Sequence, residues 1–169
     1  PRFSLSQDRR YMTAGKRLYA NRLAKLIEQS KLMPAVIARI EKYFDVFFVD
    51  EVQDFGGNDF NFLLAISAAQ VDMSFVGDFY QHTFDTSRDG NVNANLHENY
   101  DKYKKKFEQA RLKVDTDSLK SSRRCSKSVC DFITEKIGIE IHSHDQRTSV
   151  VRFEDDPAAV AALYRDPGI

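Results

Sequence analysis

Two adjacent carboxylates, Asp50 and Glu51, directly follow an apolar run at residues 46–49. A second apolar run at 73–76 is followed by a Gly-Asp pair and then by Gln81. When two buried strands both end in polar residues, those residues lie at one edge of an open α/β sheet, where ligands bind. There, one carboxylate can hold Mg²⁺ and its neighbour can activate water for attack on a γ-phosphate. The pattern indicates nucleotide hydrolysis, although an isolated Asp-Glu pair is more commonly a solvated acidic turn.

Alternating helices and strands are expected to position these residues, so we predict an α/β fold. The strand at 45–50 lacks polar alternation, which predicts a parallel strand covered on both faces. Pro34 suits the first turn of a helix, while Ser126 and Gly138 suit the two ends of another. The predicted helices span residues 16–30, 34–43, 58–69, 96–113, 127–137 and 157–163, and the predicted strands span 45–50, 71–76, 114–119, 139–141 and 149–153.

Composition sets limits on the class of protein. The 169 residues are 42% hydrophobic and 30% charged, which is typical of a globular chain rather than a disordered one. Net charge is zero, so composition gives no support for nucleic-acid binding. Two cysteines imply no disulfide framework, and no apolar run reaches membrane-spanning length, so we expect a cytoplasmic protein without a membrane partner. The first and last residues read as cuts in a longer polypeptide.

Three ordered motifs carry a family resemblance. Residues 49–54 read Val-Asp-Glu-Val-Gln-Asp, residues 76–84 read Val-Gly-Asp-Phe-Tyr-Gln-His-Thr-Phe, and residues 119–126 read Leu-Lys-Ser-Ser-Arg-Arg-Cys-Ser. In order and spacing they resemble motifs II, III and IV of UvrD/Rep-type superfamily 1 DNA helicases. The resemblance implies a partial RecA-like P-loop NTPase domain, with a mainly parallel sheet flanked by helices. Residues 1–118 would form the C-terminal part of the first RecA-like motor domain, and residues 119–169 the beginning of the second.

The resemblance also implies a role for each matching residue, with ATP and Mg²⁺ as cofactors and single-stranded DNA as a partner. Asp50 would coordinate Mg²⁺, and Glu51 would position and deprotonate the attacking water. Gln81 would sense the γ-phosphate and couple hydrolysis to strand movement. Arg124 would be the arginine finger, since a planar, permanently charged fork matches phosphate oxygens. Phe84 would stack on DNA bases.

Some positions depart from the family pattern. The Asn-Tyr pair that precedes the finger is replaced by Ser122-Arg123, so two adjacent arginines compete for the role, and the register favours Arg124. Phe84 fits a core position as well as a stacking one. Thr86 replaces a second stacking aromatic, which weakens the expectation of DNA contact at this motif.

The chain lacks a Walker A loop, because Ala14-Gly15-Lys16-Arg17 has neither the earlier glycine nor the hydroxyl residue. We therefore expect an internal helicase fragment, inactive alone, whose partners include the remaining motor-domain segments of the same polypeptide. One alternative is a degenerate, non-catalytic RecA-like scaffold or partner-binding module. Another is a metal-dependent nuclease built on five carboxylates, namely those of Asp45, Asp50, Glu51, Asp54 and Asp78.

Overall fold

Helices and short strands alternate in the computed structural model, which describes residue 4 and residues 7–87, 91–151 and 153–165. Within these residues the helices are α1 (Leu23–Gln29), α2 (Met33–Tyr43), α3 (Gly57–Ile66), α4 (Tyr100–Gln109), α5 (Lys127–Ile137) and α6 (Pro157–Arg165). The strands are β1 (Val46–Val49), β2 (Asp72–Phe75), β3 (Ser121–Ser122) and β4 (His142–Ser143). This alternation confirms the predicted α/β class. None of these helices is both long enough and apolar enough to cross a membrane.

The chain divides into two compact units between Val114 and Asp115. The assignment of residues 1–118 and 119–169 to two motor domains stays a prediction. The first unit contains α1 to α4 with β1 and β2, and the second contains α5 and α6 with β3 and β4. Each unit holds one two-stranded sheet, and both sheets are parallel.

The sheet of the first unit is built from the two apolar runs. β1 and β2 pair in parallel, with Val46 opposite Asp72 and Val49 opposite Phe75. Parallel strands need a crossover connection, and α3 lies in the segment that joins them. The carboxyl ends of both strands therefore meet at the same edge of the sheet.

Only one face of this sheet is covered. Phe47 and Val49 pack against the core, whereas Val46 is 61% exposed and Phe48 is 60% exposed. The prediction that this strand is covered on both faces is wrong. The reason is that α2, α3 and α4 contribute their buried residues to a single core on one side, and within the described residues no element covers the other side.

Phe60 on α3 lies at the centre of that core and is fully buried. Its ring centroid is 5.7 Å from that of Tyr103 and 5.5 Å from that of Phe107, both on α4. Aromatic pairs at these separations add to the free energy gained from burying apolar area. This aromatic cluster therefore fixes α4 against α3.

Helix boundaries were predicted correctly where a residue at the helix end favours that position by its own conformation or hydrogen bonding. α2 has Pro34 in its first turn, and α5 begins after Ser126 and ends at Gly138 in the left-handed conformation, both as predicted. The helix predicted from residue 16 begins only at Leu23. It is displaced because a tight turn, with Lys16 at φ 58°, is closed by a bridge between Met12 and Leu18.

Other boundaries differ from the predictions. α3 spans Gly57–Ile66, whereas the predicted helix spans 58–69. α4 is shorter than predicted because Asn99 caps it by accepting a hydrogen bond from the Lys102 N–H at 2.9 Å. The strand predicted at 139–141 forms instead at His142–Ser143. Residues 114–119 form no strand, and neither do the described residues of 149–153, where position 152 lies outside the description.

We expect Phe60→Ala to lower the free energy of unfolding by about 3–5 kcal/mol, because it removes a fully buried ring and leaves a cavity. Phe84→Ala is the matched control, since Phe84 is 52% exposed, and its effect should stay under about 1 kcal/mol. Urea unfolding followed by circular dichroism measures both. Equal losses for the two variants would contradict the position of the core.

Candidate functional site

The two strand ends stay paired beyond the strands themselves. The Val76 N–H donates to the Val49 carbonyl at 2.8 Å, and the Val52 N–H donates to the Val76 carbonyl at 3.0 Å. These bonds carry the parallel ladder past Asp50 on one side and up to Gly77 on the other. The two polar segments that the sequence predicted to be neighbours are therefore held side by side.

A buried amide joins these segments. Gln53 is only 2% exposed. Its Nε2 donates to Glu51 Oε2 at 2.6 Å, and its Oε1 accepts the backbone N–H of Asp78 at 3.0 Å. One side chain thus orients the Glu51 carboxylate and fixes the start of the second segment. Gln53 therefore connects the loops that follow β1 and β2.

Glu51 has a left-handed backbone conformation, with φ 53° and ψ 44°. Such a conformation is uncommon for a residue other than glycine and costs about 1–3 kcal/mol, so surrounding contacts must maintain it. One contact is local, since the Glu51 N–H donates to Asp50 Oδ1 at 2.9 Å. The turn leaves both carboxylates exposed at the edge of the sheet.

The 3₁₀ turn that follows, Val52–Asp54, is held by the rest of the first unit. The Tyr103 hydroxyl on α4 donates to the Val52 carbonyl at 3.2 Å, and burial raises the pKa of Tyr103, so it remains a donor at neutral pH. The Gln53 carbonyl lies 2.9 Å from His82 Nδ1. Contacts from two distant elements therefore support the backbone that carries Glu51.

Asp78 holds Gln81 in place. Its Oδ1 accepts the Tyr80 N–H at 3.0 Å, which caps the 3₁₀ turn Phe79–Gln81, and its Oδ2 accepts Gln81 Nε2 at 2.7 Å. Because the Asp78 N–H is bonded to Gln53, a continuous set of hydrogen bonds runs from Glu51 to Gln81. The predicted residues Asp50, Glu51 and Gln81 thus gather at one edge.

Arg124 belongs to the second unit, where the backbone around it is well fixed. Ser122 Oγ accepts the N–H groups of Arg124 at 3.3 Å and Cys125 at 2.9 Å. The Arg123 carbonyl accepts Arg147 Nη2 at 3.3 Å. Both Arg123 and Arg124 are exposed, so this geometry supports an outward-facing arginine without separating the two.

Phe84 lies three residues beyond Gln81 and is 52% exposed. The reading of Phe84 as a core residue is therefore wrong. An exposed ring is available for stacking, while its role in binding DNA stays a prediction.

The five carboxylates of the nuclease alternative do not form one site. Asp45 precedes β1, whereas Asp50 follows it, so the two lie at opposite ends of the strand. In the described part of the chain, the only three residues of types His, Cys, Asp or Glu with ligand atoms close enough to share a metal ion are His82, Asp85 and His97. No sequence pattern indicates this group, because His97 follows Asp85 without a recognisable ligand spacing.

Neither protein-family models nor curated proteins gave a match to this chain. Function is therefore inferred from the residues and the geometry of the two strand ends. This edge presents the exposed carboxylates of Asp50 and Glu51 and the side-chain amide of Gln81. Each of these groups makes a hydrogen bond to a neighbouring residue. Oxygen donors of this kind suit a hard cation such as Mg²⁺.

We expect Gly77→Ala to destabilise the fold by about 1–3 kcal/mol, because the added Cβ has no room. It would lie 2.4 Å from Gln53 Oε1 and 2.9 Å from the Val52 nitrogen. Gly15→Ala is the matched control, since its Cβ would meet no atom closer than Thr13 Oγ1 at 3.8 Å. Thermal unfolding of the two variants tests this, and an unchanged melting temperature for Gly77→Ala would contradict the observed Gln53 bridge.

Proposed function

We propose that this chain is part of an ATP-dependent motor of the UvrD/Rep type, which hydrolyses ATP with Mg²⁺ to move on single-stranded DNA. The observation that carries the proposal is the hydrogen-bonded connection from Glu51 through Gln53 and Asp78 to Gln81. It links the segments that resemble motifs II and III at the carboxyl edge of two parallel strands. In α/β sheets this edge is where ligands bind.

Asp50 suits the role of metal ligand. Its carboxylate is exposed, and its Oδ1 accepts the Glu51 N–H, which fixes its orientation. Mg²⁺ is bound by one or two protein carboxylates together with phosphate oxygens and water, and it supplies charge neutralisation during phosphoryl transfer. One fixed carboxylate at a strand end meets that requirement.

Glu51 suits the role of general base. Gln53 Nε2 donates to Glu51 Oε2, so the carboxylate is oriented through one oxygen while the side chain stays exposed. A base must be held within hydrogen-bond reach of the water that it deprotonates. The buried Gln53 amide holds the carboxylate for this purpose without competing for the proton.

Gln81 suits the role of a sensor, because its contact with Asp78 is exposed and can be exchanged for another partner. When the Gln81 amide turns to a phosphate oxygen, it releases Asp78 Oδ2. Phe84 lies in the same segment, so a shift at Gln81 is transmitted over three residues to an exposed ring that can stack on DNA bases. This short path would couple hydrolysis to strand movement.

In this proposal the first unit is the later part of one RecA-like motor domain, and the second unit begins the next. A phosphate-binding loop and the remaining motor segments would come from the rest of the polypeptide, so the chain alone would be inactive. Arg124, from the second unit, would be the arginine finger. A degenerate scaffold would share this fold, but its carboxylates would not matter for ATP turnover.

In the polypeptide that contains this chain, Glu51→Gln should lower ATP turnover by about 10²–10⁴-fold while ATP binding persists. The amide preserves size but cannot accept the proton of the attacking water. Steady-state ATPase assays with saturating single-stranded DNA, paired with nucleotide-binding measurements, test this. Normal turnover in Glu51→Gln would exclude the catalytic role and favour the scaffold.

Arg124→Ala should lower turnover by about 10³-fold, which is the scale of an arginine finger. Arg123→Ala is the matched control, since Arg123 and Arg124 are adjacent and both exposed. Arg123→Ala should lower ATP turnover much less than Arg124→Ala does. The same ATPase assay compares them. A severe loss at Arg123 with near-normal turnover at Arg124 would assign the finger to Arg123.

A further inference from the structure

Two imidazoles and one carboxylate meet beside the segment that carries Gln81. His82 Nε2 lies 3.7 Å from Asp85 Oδ1, and His97 Nδ1 lies 3.9 Å from the same oxygen. The three ligand atoms all lie within 4.8 Å of one another, and all three residues are partly buried. We refer to His82, Asp85 and His97 as the His-Asp cluster.

Hydrogen bonding at His82 leaves one of its nitrogens free to act as a ligand. His82 Nδ1 lies 2.9 Å from the Gln53 carbonyl, which can only accept a hydrogen bond, so Nδ1 carries the proton. In the neutral ring, Nε2 then presents a lone pair towards a carboxylate oxygen of Asp85. Metal-bound histidines usually donate their other ring N–H to a carbonyl in this way. An imidazole nitrogen and a carboxylate oxygen are both ligand types that bind zinc.

Two polar atoms close to the cluster are buried without a hydrogen-bond partner among the described residues. They are His97 Nε2 and Asp54 Oδ1. Asp54 is near enough for its charge to act on His97. Buried polar atoms without a protein partner are normally satisfied by water or by an ion. Both atoms are distinct from the three ligand atoms of the cluster, so they indicate that its surroundings are polar and incompletely hydrogen-bonded.

We propose that the His-Asp cluster binds a divalent transition-metal ion such as Zn²⁺, through His82 Nε2, His97 Nδ1 and Asp85 Oδ1. Two ligand atoms about 2.1 Å from zinc can be at most about 4.2 Å apart, and both contacts to Asp85 already meet that limit. Imidazole ligands select zinc and related metals over Mg²⁺. The cluster does not include Asp50 or Glu51.

Binding requires a change in the two rings. Their centroids are 3.6 Å apart with an interplanar angle of 5°, so they are stacked. The ligand lone pair of an imidazole lies in the ring plane, and lone pairs of parallel rings do not converge on one ion. At least one ring must therefore rotate when the metal binds, which unstacks the pair and gives a spectroscopic signature.

The ion would act as a structural clip. It would tie the segment that follows Gln81 to residue 97, just before α4, and His82 is already bonded to the Gln53 carbonyl. Asp85 is positioned by close packing, because a Cβ at Gly56 would lie 2.5 Å from Asp85 Oδ1. The metal would thereby stabilise the loop that supports the strand-end site.

Titration of the chelator-treated chain with Zn²⁺ by calorimetry, and with Co²⁺ by visible absorption, tests the proposal. We expect one ion per chain and no displacement by excess Mg²⁺. Three variants each remove one proposed ligand: His82→Gln, His97→Gln and Asp85→Asn. Each should weaken zinc binding by more than about 100-fold, because losing a residue that only supports a ligand weakens binding by at most about 100-fold. The matched control is the double variant His142→Gln with His144→Gln, which removes two histidines of the second unit and should bind normally.

The proposal is overturned if the wild-type chain binds no zinc, or if the control variant loses binding while His82→Gln keeps it. Circular dichroism establishes that each variant is folded. Should a cluster variant not fold, imidazole NMR of the wild type decides the matter. Zinc must then shift the signals of His82 and His97 and leave those of His142 and His144 unchanged, and the opposite pattern excludes the cluster.

Discussion

The side-chain amide of Gln53 is the interaction on which the strand-end site depends. It donates to Glu51 and accepts from the Asp78 backbone, so a single buried group sets the spacing between the ends of β1 and β2. The site tolerates no side chain at position 77, because a Cβ there would meet the Gln53 oxygen. Removing the amide would remove both hydrogen bonds, each of which contributes about 0.5–1.5 kcal/mol. The orientation of the Glu51 carboxylate therefore depends on a hydrogen bond from a buried side chain.

Features with a local cause could be predicted from the sequence. The apolar runs predicted β1 and β2, and their shared parallel edge followed from the rule that crossover connections join parallel strands. Pro34, Ser126 and Gly138 marked helix ends because each has a conformational or hydrogen-bonding property that acts within one turn. The gathering of Asp50, Glu51 and Gln81 was predictable for the same reason, since each directly follows a strand or a short turn.

Features that depend on distant partners could not be predicted. Whether β1 is covered on one face or two depends on how many layers pack against it. A strand made only of apolar residues fits either arrangement, so its sequence does not distinguish them. The left-handed Glu51 is maintained by contacts from Gln53 and α4 that no local pattern reports. The contact between Asp85 and His97 joins two residues whose spacing in the sequence matches no ligand motif. In each case at least one contact joins residues that are remote in sequence.

We propose that the strand-end edge serves ATP hydrolysis in a motor that moves on single-stranded DNA. The most direct measurement is ATP turnover by the polypeptide that contains this chain, with Mg²⁺, in the presence and absence of single-stranded DNA. We predict Mg²⁺-dependent hydrolysis that rises strongly when single-stranded DNA is added, since Gln81 and Phe84 would link the two sites. Folded polypeptide that hydrolyses no ATP under either condition would contradict the claim.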